Sequence, residues 1–253
     1  MPVPALLQRI IPWLKTAISQ DCILCAATLR SANVLCHPCL SSLPKNDADV
    51  PRCPQCALAS DGGQTCGQCL RENPYFDRTT AAYRYAFPLD RLVQSVKFNA
   101  NFALIDMLAD ELVAQIRQSE QRLPDCIMAM PLGKKRLAER GFNQAALLAG
   151  AVGQRLGVKV DVTGLQRSRE TKPQSGLKWK ARSKNVKDAF QCNAPAAGKR
   201  VALLDDVMTT GATLNEAAKT LKQHGAAEVS AWVIARADLR ADATPYEEFG
   251  LHV

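Results

Sequence analysis

The sequence predicts an α/β protein, a parallel sheet with covering helices, preceded by a small cysteine-rich module. Three observations carry this expectation. From Thr79 onward, short apolar runs alternate with segments of helical periodicity. Eight of the ten cysteines fall into four C-x-x-C pairs between Cys22 and Cys69. The apolar run VALL, 201–204, drives into an acidic pair and then into the turn MTTGAT. Alternating strands and helices imply a parallel sheet. Paired C-x-x-C turns have the spacing of a metal site, and a Thr/Gly turn between a strand and a helix is suited to anions.

Composition allows a folded chain of more than one part. At 253 residues, 47% hydrophobic and 22% charged, it has room for a small module plus an α/β domain of ordinary size. The expected parts are an N-terminal helix (1–20), the cysteine module (21–73), the α/β domain (79–237) and a tail (238–253). No apolar run reaches the roughly 20 residues of a membrane span. MPVPALLQRIIPWLK lacks the apolar core and cleavage site of a secretory signal, so the reading is of a cytoplasmic protein without a membrane span. The net charge of +8 is local: residues 130–187 hold fourteen Lys and Arg against Glu139, Asp161 and Glu170.

The cysteine pairs are Cys22/Cys25, Cys36/Cys39, Cys53/Cys56 and Cys66/Cys69. Each C-x-x-C turn aims two sulfurs at one point, and two turns complete the tetrahedral shell that Zn²⁺ prefers, which predicts two structural zinc ions. A disulfide framework needs an oxidising compartment, and Cys₄ shells also serve iron–sulfur clusters. Sequential pairing closes the shorter loops and is the favoured arrangement. Substituting Cys25 or Cys56 is expected to unfold the module locally and leave the sheet domain largely intact. His37 stands inside the second pair but is not needed for a complete set. Cys126 and Cys192 read as ordinary thiols.

In the body, 79–87 and 126–130 read as strands, 89–98 and the Ile105/Leu108/Leu112/Ile116 repeat as helices, and GFNQAALLAGAVGQRLG as a helix ending near Gly157. VKVDV, RVALLDD and EVSAWVIAR supply further strands, with TLNEAAKTLKQHG as the helix between the last two and His224 near its cap. Lys172 to Lys187 is a long polar, basic loop, read as a lid.

The 201–213 stretch is the most specific signal. Gly211 is read as permitting close approach to a phosphate, while Thr209, Thr210 and Thr213 can donate hydroxyls beside backbone N–H groups at a helix start. Asp205 and Asp206 supply acceptors for the vicinal hydroxyls of a ribose. As a competing reading, the two carboxylates are metal ligands or plain turn residues.

Asp205, Asp206, Val207, Met208, Thr209, Thr210, Gly211, Ala212 and Thr213 together resemble the binding motif of type I phosphoribosyltransferases. The resemblance implies that fold and a ribose-5-phosphate site for phosphoribosyl pyrophosphate with Mg²⁺. Around it stand LVQSVKF, PLGKKRLAERGFNQAALLA and TKPQSGLKWKARSKNVKDAF, in that order after the cysteine module. With these the chain is similar to the competence protein F (ComF) family from Cys22 to about Arg236. By that resemblance Lys134, Lys135 and Arg136 lie where similar enzymes bind pyrophosphate. Arg140, Gly141, Phe142, Asn143 and Gln144 belong to the same signature, with Arg140 and Asn143 either binding ligand or building the loop, and Arg182 and Asn185 mark the lid. Asp205, Asp206, Arg136 and Arg140 are the candidate catalytic residues. The resemblance also implies a role in DNA uptake, with single-stranded DNA and a DNA-uptake helicase as candidate partners. Lys178, Lys180 and Arg182 are the candidate DNA contacts, with Phe142 and Trp179 available for stacking.

Overall fold

The computed structural model describes residues 20–29, 33–46, 50–119, 121–169 and 185–238. The N-terminal helix, most of the basic lid with Lys178, Trp179, Lys180 and Arg182, and the tail beyond Asp238 lie outside the described residues.

The cysteine module consists of short pieces: strands β1 (Gln20–Asp21) and β2 (Thr28–Leu29), helix α1 (His37–Ser41), a 3-10 turn (Asp61–Gly63) and helix α2 (Gly67–Glu72). The body runs β3 (Arg78–Arg84), α3 (Leu89–Asn99), α4 (Ala103–Gln118), β4 (Cys126–Ala129), α5 (Lys134–Arg140), α6 (Gln144–Leu156), β5 (Val160–Asp161), β6 (Leu165–Arg167), β7 (Phe190–Cys192), β8 (Arg200–Met208), α7 (Ala212–Gln223) and β9 (Glu228–Arg236).

Five strands form one sheet in the order β3-β9-β8-β4-β5, every pairing parallel. β8 and β9 are near-continuous apolar runs because helices cover both faces, and Val201–Leu204 and Val229–Ala235 are almost all buried. Helix α4 buries the predicted stripe of Ile105, Leu108, Leu112 and Ile116. Helix α6 lies close on the sheet edge through Gly153, where a Cβ would come within 2.3 Å of Val160 Cγ2 and 2.9 Å of the Val158 carbonyl. The end of α7 is as expected: His224 is its C-cap with Nδ1 2.8 Å from the Thr220 carbonyl, and Gly225 follows at φ +84°.

Chain direction decides where a ligand can bind. From β4 the chain goes to β5 on one side, whereas from β8 it goes to β9 on the other, with β3 beyond. The crevice between the carboxyl ends of β4 and β8 is therefore the topological switch point, where open α/β sheets bind ligands.

Two details depart from the sequence reading. Lys134, Lys135 and Arg136, placed by resemblance where similar enzymes bind pyrophosphate and given no helix in the sequence reading, open the helix α5, with Gly133 at its start and left-handed Gly141 at its end. The loop containing the lid is flanked by an antiparallel pair, β6 with β7, through Leu165↔Cys192, Gln166↔Gln191 and Arg167↔Phe190.

Candidate ribose-phosphate site and the two cysteine groups

A cavity of about 330 Å³ opens at the switch point. Its walls are the end of β4 (Met130, Pro131), α5 (Arg136, Arg140), Lys97 of α3, and the whole stretch from Asp205 to Leu214. Arg136, Arg140 and residues 205–213 are thus brought around one space. Lys134 and Lys135 sit exposed on α5, outside that lining.

β8 carries the acidic pair to the cavity because its strand hydrogen bonds continue to Met208. The Asp206 amide donates to Asp205 Oδ1 at 2.9 Å, and the Val207 amide to Asp206 Oδ1 at 2.8 Å. Lys97 Nζ lies 2.7 Å from Asp206 Oδ2, an ion pair whose side chains are 22% and 10% exposed. Burial works to lower the Lys97 pKa, but Asp206, with Asp205 beyond it, outweighs burial and raises it. Burial pushes the Asp205 carboxyl up to about 7, and the neighbouring Asp206 charge adds to the shift. One carboxylate is therefore neutralised by a lysine while its neighbour is reluctant to ionise.

A polar chain leads outward from this pair. Gln144 Nε2 is 3.5 Å from Asp206 Oδ2, and Arg140 donates to Gln144 Oε1 at 3.0 Å while its guanidinium lies 5.3 Å from the Phe98 ring centroid. Asn143 builds the structure: its Oδ1 accepts from the Ala145 amide as the N-cap of α6, and its Nδ2 donates to the Met130 carbonyl at 3.0 Å. That is the work of a capping residue.

After Met208 the chain turns through Thr209–Gly211 into α7, with Gly211 as its N-cap at φ +79°. Glycine is favoured there by the positive φ; a Cβ would come within 2.7 Å of the flexible Met208 Cε, which would have to move, and would be in ordinary contact with the Phe76 ring. The left-handed backbone is thus enough by itself to favour glycine at 211, beside Met208 and Phe76.

Lys97 and Arg167, both in the cavity wall, went unassigned in the sequence. Lys97 had a readable signal. It stands four residues after Val93 on the face of α3 that buries Leu89, Leu92, Val93 and Val96, and a lysine on an apolar face needs a partner.

The eight cysteines form two groups in sequential order, Cys22/Cys25/Cys36/Cys39 and Cys53/Cys56/Cys66/Cys69, and within each the sulfurs lie within 4.8 Å of one another. Four sulfurs about 2.3 Å from a common Zn²⁺ in a tetrahedron would be about 3.8 Å apart. The Cys25–Cys36 and Cys56–Cys66 contacts of 3.6 Å match that spacing. Backbone N–H groups of Cys36 and Cys66 point at Cys22 Sγ and Cys53 Sγ, at 3.4 and 3.3 Å. Burial opposes ionisation of Cys22, but the N–H groups of Cys36, Cys25 and Leu24 prevail and lower its pKa to about 6. Both groups therefore fit structural zinc. His37, the first residue of α1, is not needed to complete the first group.

A parallel five-stranded sheet with this cavity at its switch point defines a phosphoribosyltransferase-fold protein, and the phosphoribosyl transferase domain model matches residues 143–247. The chain is 36% identical over 229 residues to competence protein F of Haemophilus influenzae, covering 85% of this chain and 96% of that protein. It is 34% identical over 221 residues to the DNA utilization protein YhgH of Salmonella typhimurium, again 85% and 96%. Competence protein ComFC of Bacillus subtilis is 26% identical over 216 residues, covering 82% and 86%. The chain belongs to the competence protein F family.

Proposed function

We propose that the cavity holds phosphoribosyl pyrophosphate or a related ribose phosphate, and that the protein serves DNA uptake, as the names of its relatives suggest for them. The observation that carries the ligand reading is the Asp205–Asp206 pair at the switch point, directly followed by a loop that ends in the N-terminus of α7. In this reading the amides and hydroxyls of Thr209, Thr210 and Thr213 receive the 5-phosphate, where an N-terminal helix dipole favours negative charge. Asp205 and Asp206 accept from the ribose hydroxyls. Arg136 and Arg140 face the pyrophosphate, for which guanidinium forks are well matched.

Mg²⁺ is bound by one or two carboxylates plus substrate phosphates, and the acidic pair offers such donors; when bound it would neutralise pyrophosphate charge. The chain's own contribution is positioning and charge stabilisation. Among the described lining residues none is assigned to reading an acceptor base, so the proposal is one of holding the ligand, with turnover the subject of a separate assay against a panel of bases. The binding test is calorimetry with phosphoribosyl pyrophosphate on Asp205→Ala/Asp206→Ala. We expect a folded protein without measurable binding; unchanged affinity in the double variant would sink this reading.

A second reading, single-stranded DNA held at the cavity rim, is favoured by one specific observation. Phe98 is 72% and Phe102 48% exposed, Phe142 meets Phe102 edge-on at 4.8 Å between centroids, and Arg140 stacks over Phe98. Aromatic faces beside basic residues are the ordinary means of holding unpaired bases. Phe98→Ala/Phe102→Ala should weaken binding of an oligothymidylate by about tenfold or more. Replacing Lys178, Lys180 and Arg182 should instead flatten the salt dependence by about 2 in log–log slope if each meets a phosphate. Anisotropy titrations at several salt concentrations read both, and wild-type behaviour in both variants counts against DNA at this rim.

A further inference from the structure

The loop between β8 and α7 is a partition. Met208, Thr210, Gly211 and Ala212 line the ribose-phosphate cavity, and the same four residues line a second, small groove together with Cys56, Cys69, Phe76 and Arg236. Arg236, the last residue of β9, is 5% exposed and does not line the cavity. Its guanidinium is satisfied by main-chain carbonyls: Nε donates to Cys56 at 2.7 Å, and Nη1 is shared among Met208 at 3.0 Å, Ala237 at 2.6 Å and Thr209. A buried guanidinium directed at the backs of loop peptides needs a reason beyond packing, because an aliphatic side chain would fill such space without the cost of burying charge.

The reason lies in peptide geometry. In a trans peptide the carbonyl and the following N–H point in opposite directions. Holding the Met208 and Thr209 carbonyls on Arg236 turns the Thr209 and Thr210 amides the other way, and it sets a positive charge behind them. We propose that Arg236 is a positioning residue for the phosphate loop, fixing the direction of its amides and tying that geometry to Cys56 of the second cysteine group. The proposal rests on the phosphate-holding reading above.

Other contacts strengthen the same tie. Thr79 Oγ1 donates to the Gln55 carbonyl at 2.6 Å, and the Tyr75 amide donates to Asn215 Oδ1 on α7 at 2.7 Å. The bonds shown near the first cysteine group run instead to β3, through Pro44 and Asn46.

The test uses the full chain with its zinc, titrated calorimetrically with ribose 5-phosphate and, separately, with pyrophosphate. Arg236→Lys should weaken ribose 5-phosphate about tenfold, Arg236→Met more, and both should leave pyrophosphate within about twofold; a general loosening of the fold would weaken both ligands alike. Cys69→Ser should reproduce the selective loss and Cys39→Ser should not. In the wild type the Arg236 Nε–H resonance should shift as ribose 5-phosphate saturates, a measurement that decides the matter alone should the variants fail to fold. Unchanged ribose 5-phosphate affinity in folded Arg236→Lys, parallel loss of both ligands, or an unmoved resonance overturns the proposal. A wild type that ignores ribose 5-phosphate overturns the ligand reading instead, and the positioning role with it.

Discussion

In both cysteine groups the knuckle turns on a left-handed alanine, Ala26 at φ 56° in the first and Ala57 at φ 59° in the second. In both, a backbone amide from the third cysteine caps the first sulfur, and a short helix begins after that cysteine. Their surroundings differ. In the first group Cys22 is buried, Cys36 and Cys39 half-buried and Cys25 exposed, whereas in the second Cys53, Cys56 and Cys69 are buried and Cys66 half-buried. Among the described residues, the first group's neighbourhood is bonded to the outer strand of the sheet, through Pro44, Lys45 and Asn46 against β3. The second is bonded to β3, β9 and the loop by Thr79 and Arg236. The same sequence motif thus builds one peripheral clamp and one supporting wall, and only position in the fold tells them apart.

The largest expected effect would break that distinction if it failed to appear. Structural zinc supplies on the order of 10–16 kcal/mol of binding free energy in isolated fingers, and in the second group the loss is transmitted to the sheet. Cys69→Ser should lower Tm by about 10 °C or more, while Cys25→Ser should leave the main transition within about 3 °C. Calorimetric melts of the two proteins decide it, and equal shifts would mean that the groups are interchangeable.

A smaller effect concerns access. Metal analysis should return two zinc ions per chain, and a chelator with a chromogenic readout should remove them in two phases about tenfold apart in rate, the first from the exposed group. In Cys25→Ser the fast phase should vanish. A single phase, iron in place of zinc, or loss of the slow phase in that variant would contradict the assignment.

The smallest effect tests whether the supporting wall bears a cost located in the site. Asp205 has a folded pKa of about 7, above the usual carboxylate value. The folded state therefore binds more protons than the unfolded one between about pH 4 and pH 7, so this group's contribution to stability declines as pH rises through that window and is fully lost above it. Asp205→Asn should melt on the order of 5 °C higher than wild type at pH 8 and show no gain at pH 4. In a double-mutant cycle the gain should add simply to Cys25→Ser and depart from additivity with Cys69→Ser. A gain independent of pH would show that charge burial is not its source.

Much of this was legible from residues alone, for reasons that can be named. EVSAWVIAR marks β9 at 228–236 because a buried parallel strand is a near-continuous apolar run, and VALL leading into charge marks β8. The cysteine pairs were legible because ligand spacing is local. α5 was missed because Lys134–Arg140 has one large apolar residue, Leu137, in seven, too little for a period to register. β6 and β7 were missed because three-residue strands are specified by a partner 27 positions away, as in Leu165↔Cys192. Arg236 closed the strand EVSAWVIAR in plain view, but its job depends on Cys56 and Met208, brought to it only by the fold. For the same reason the expectation that losing Cys56 would stay local gives way to one in which it reaches the ligand loop.

The ion pair between Lys97 and Asp206 has a consequence for discrimination. Since the carboxylate already has a partner, a sugar bound as proposed would have to displace or share it, so entry would be an exchange in which each hydroxyl offered replaces part of what is given up. A sugar with both vicinal hydroxyls can make that exchange evenly; a 2-deoxy sugar brings one donor fewer and leaves the carboxylate partly unmatched. On the proposed ligand reading, ribose 5-phosphate should accordingly outcompete 2-deoxyribose 5-phosphate in a competition titration, and Lys97→Met should not narrow the ratio, because either sugar gives up the same ion pair. On the two readings proposed above, a DNA strand at the same mouth would be held by its phosphates and bases and not by its sugars, which would let one protein keep a small ribose ligand and a polymer of deoxyribose apart without a second pocket.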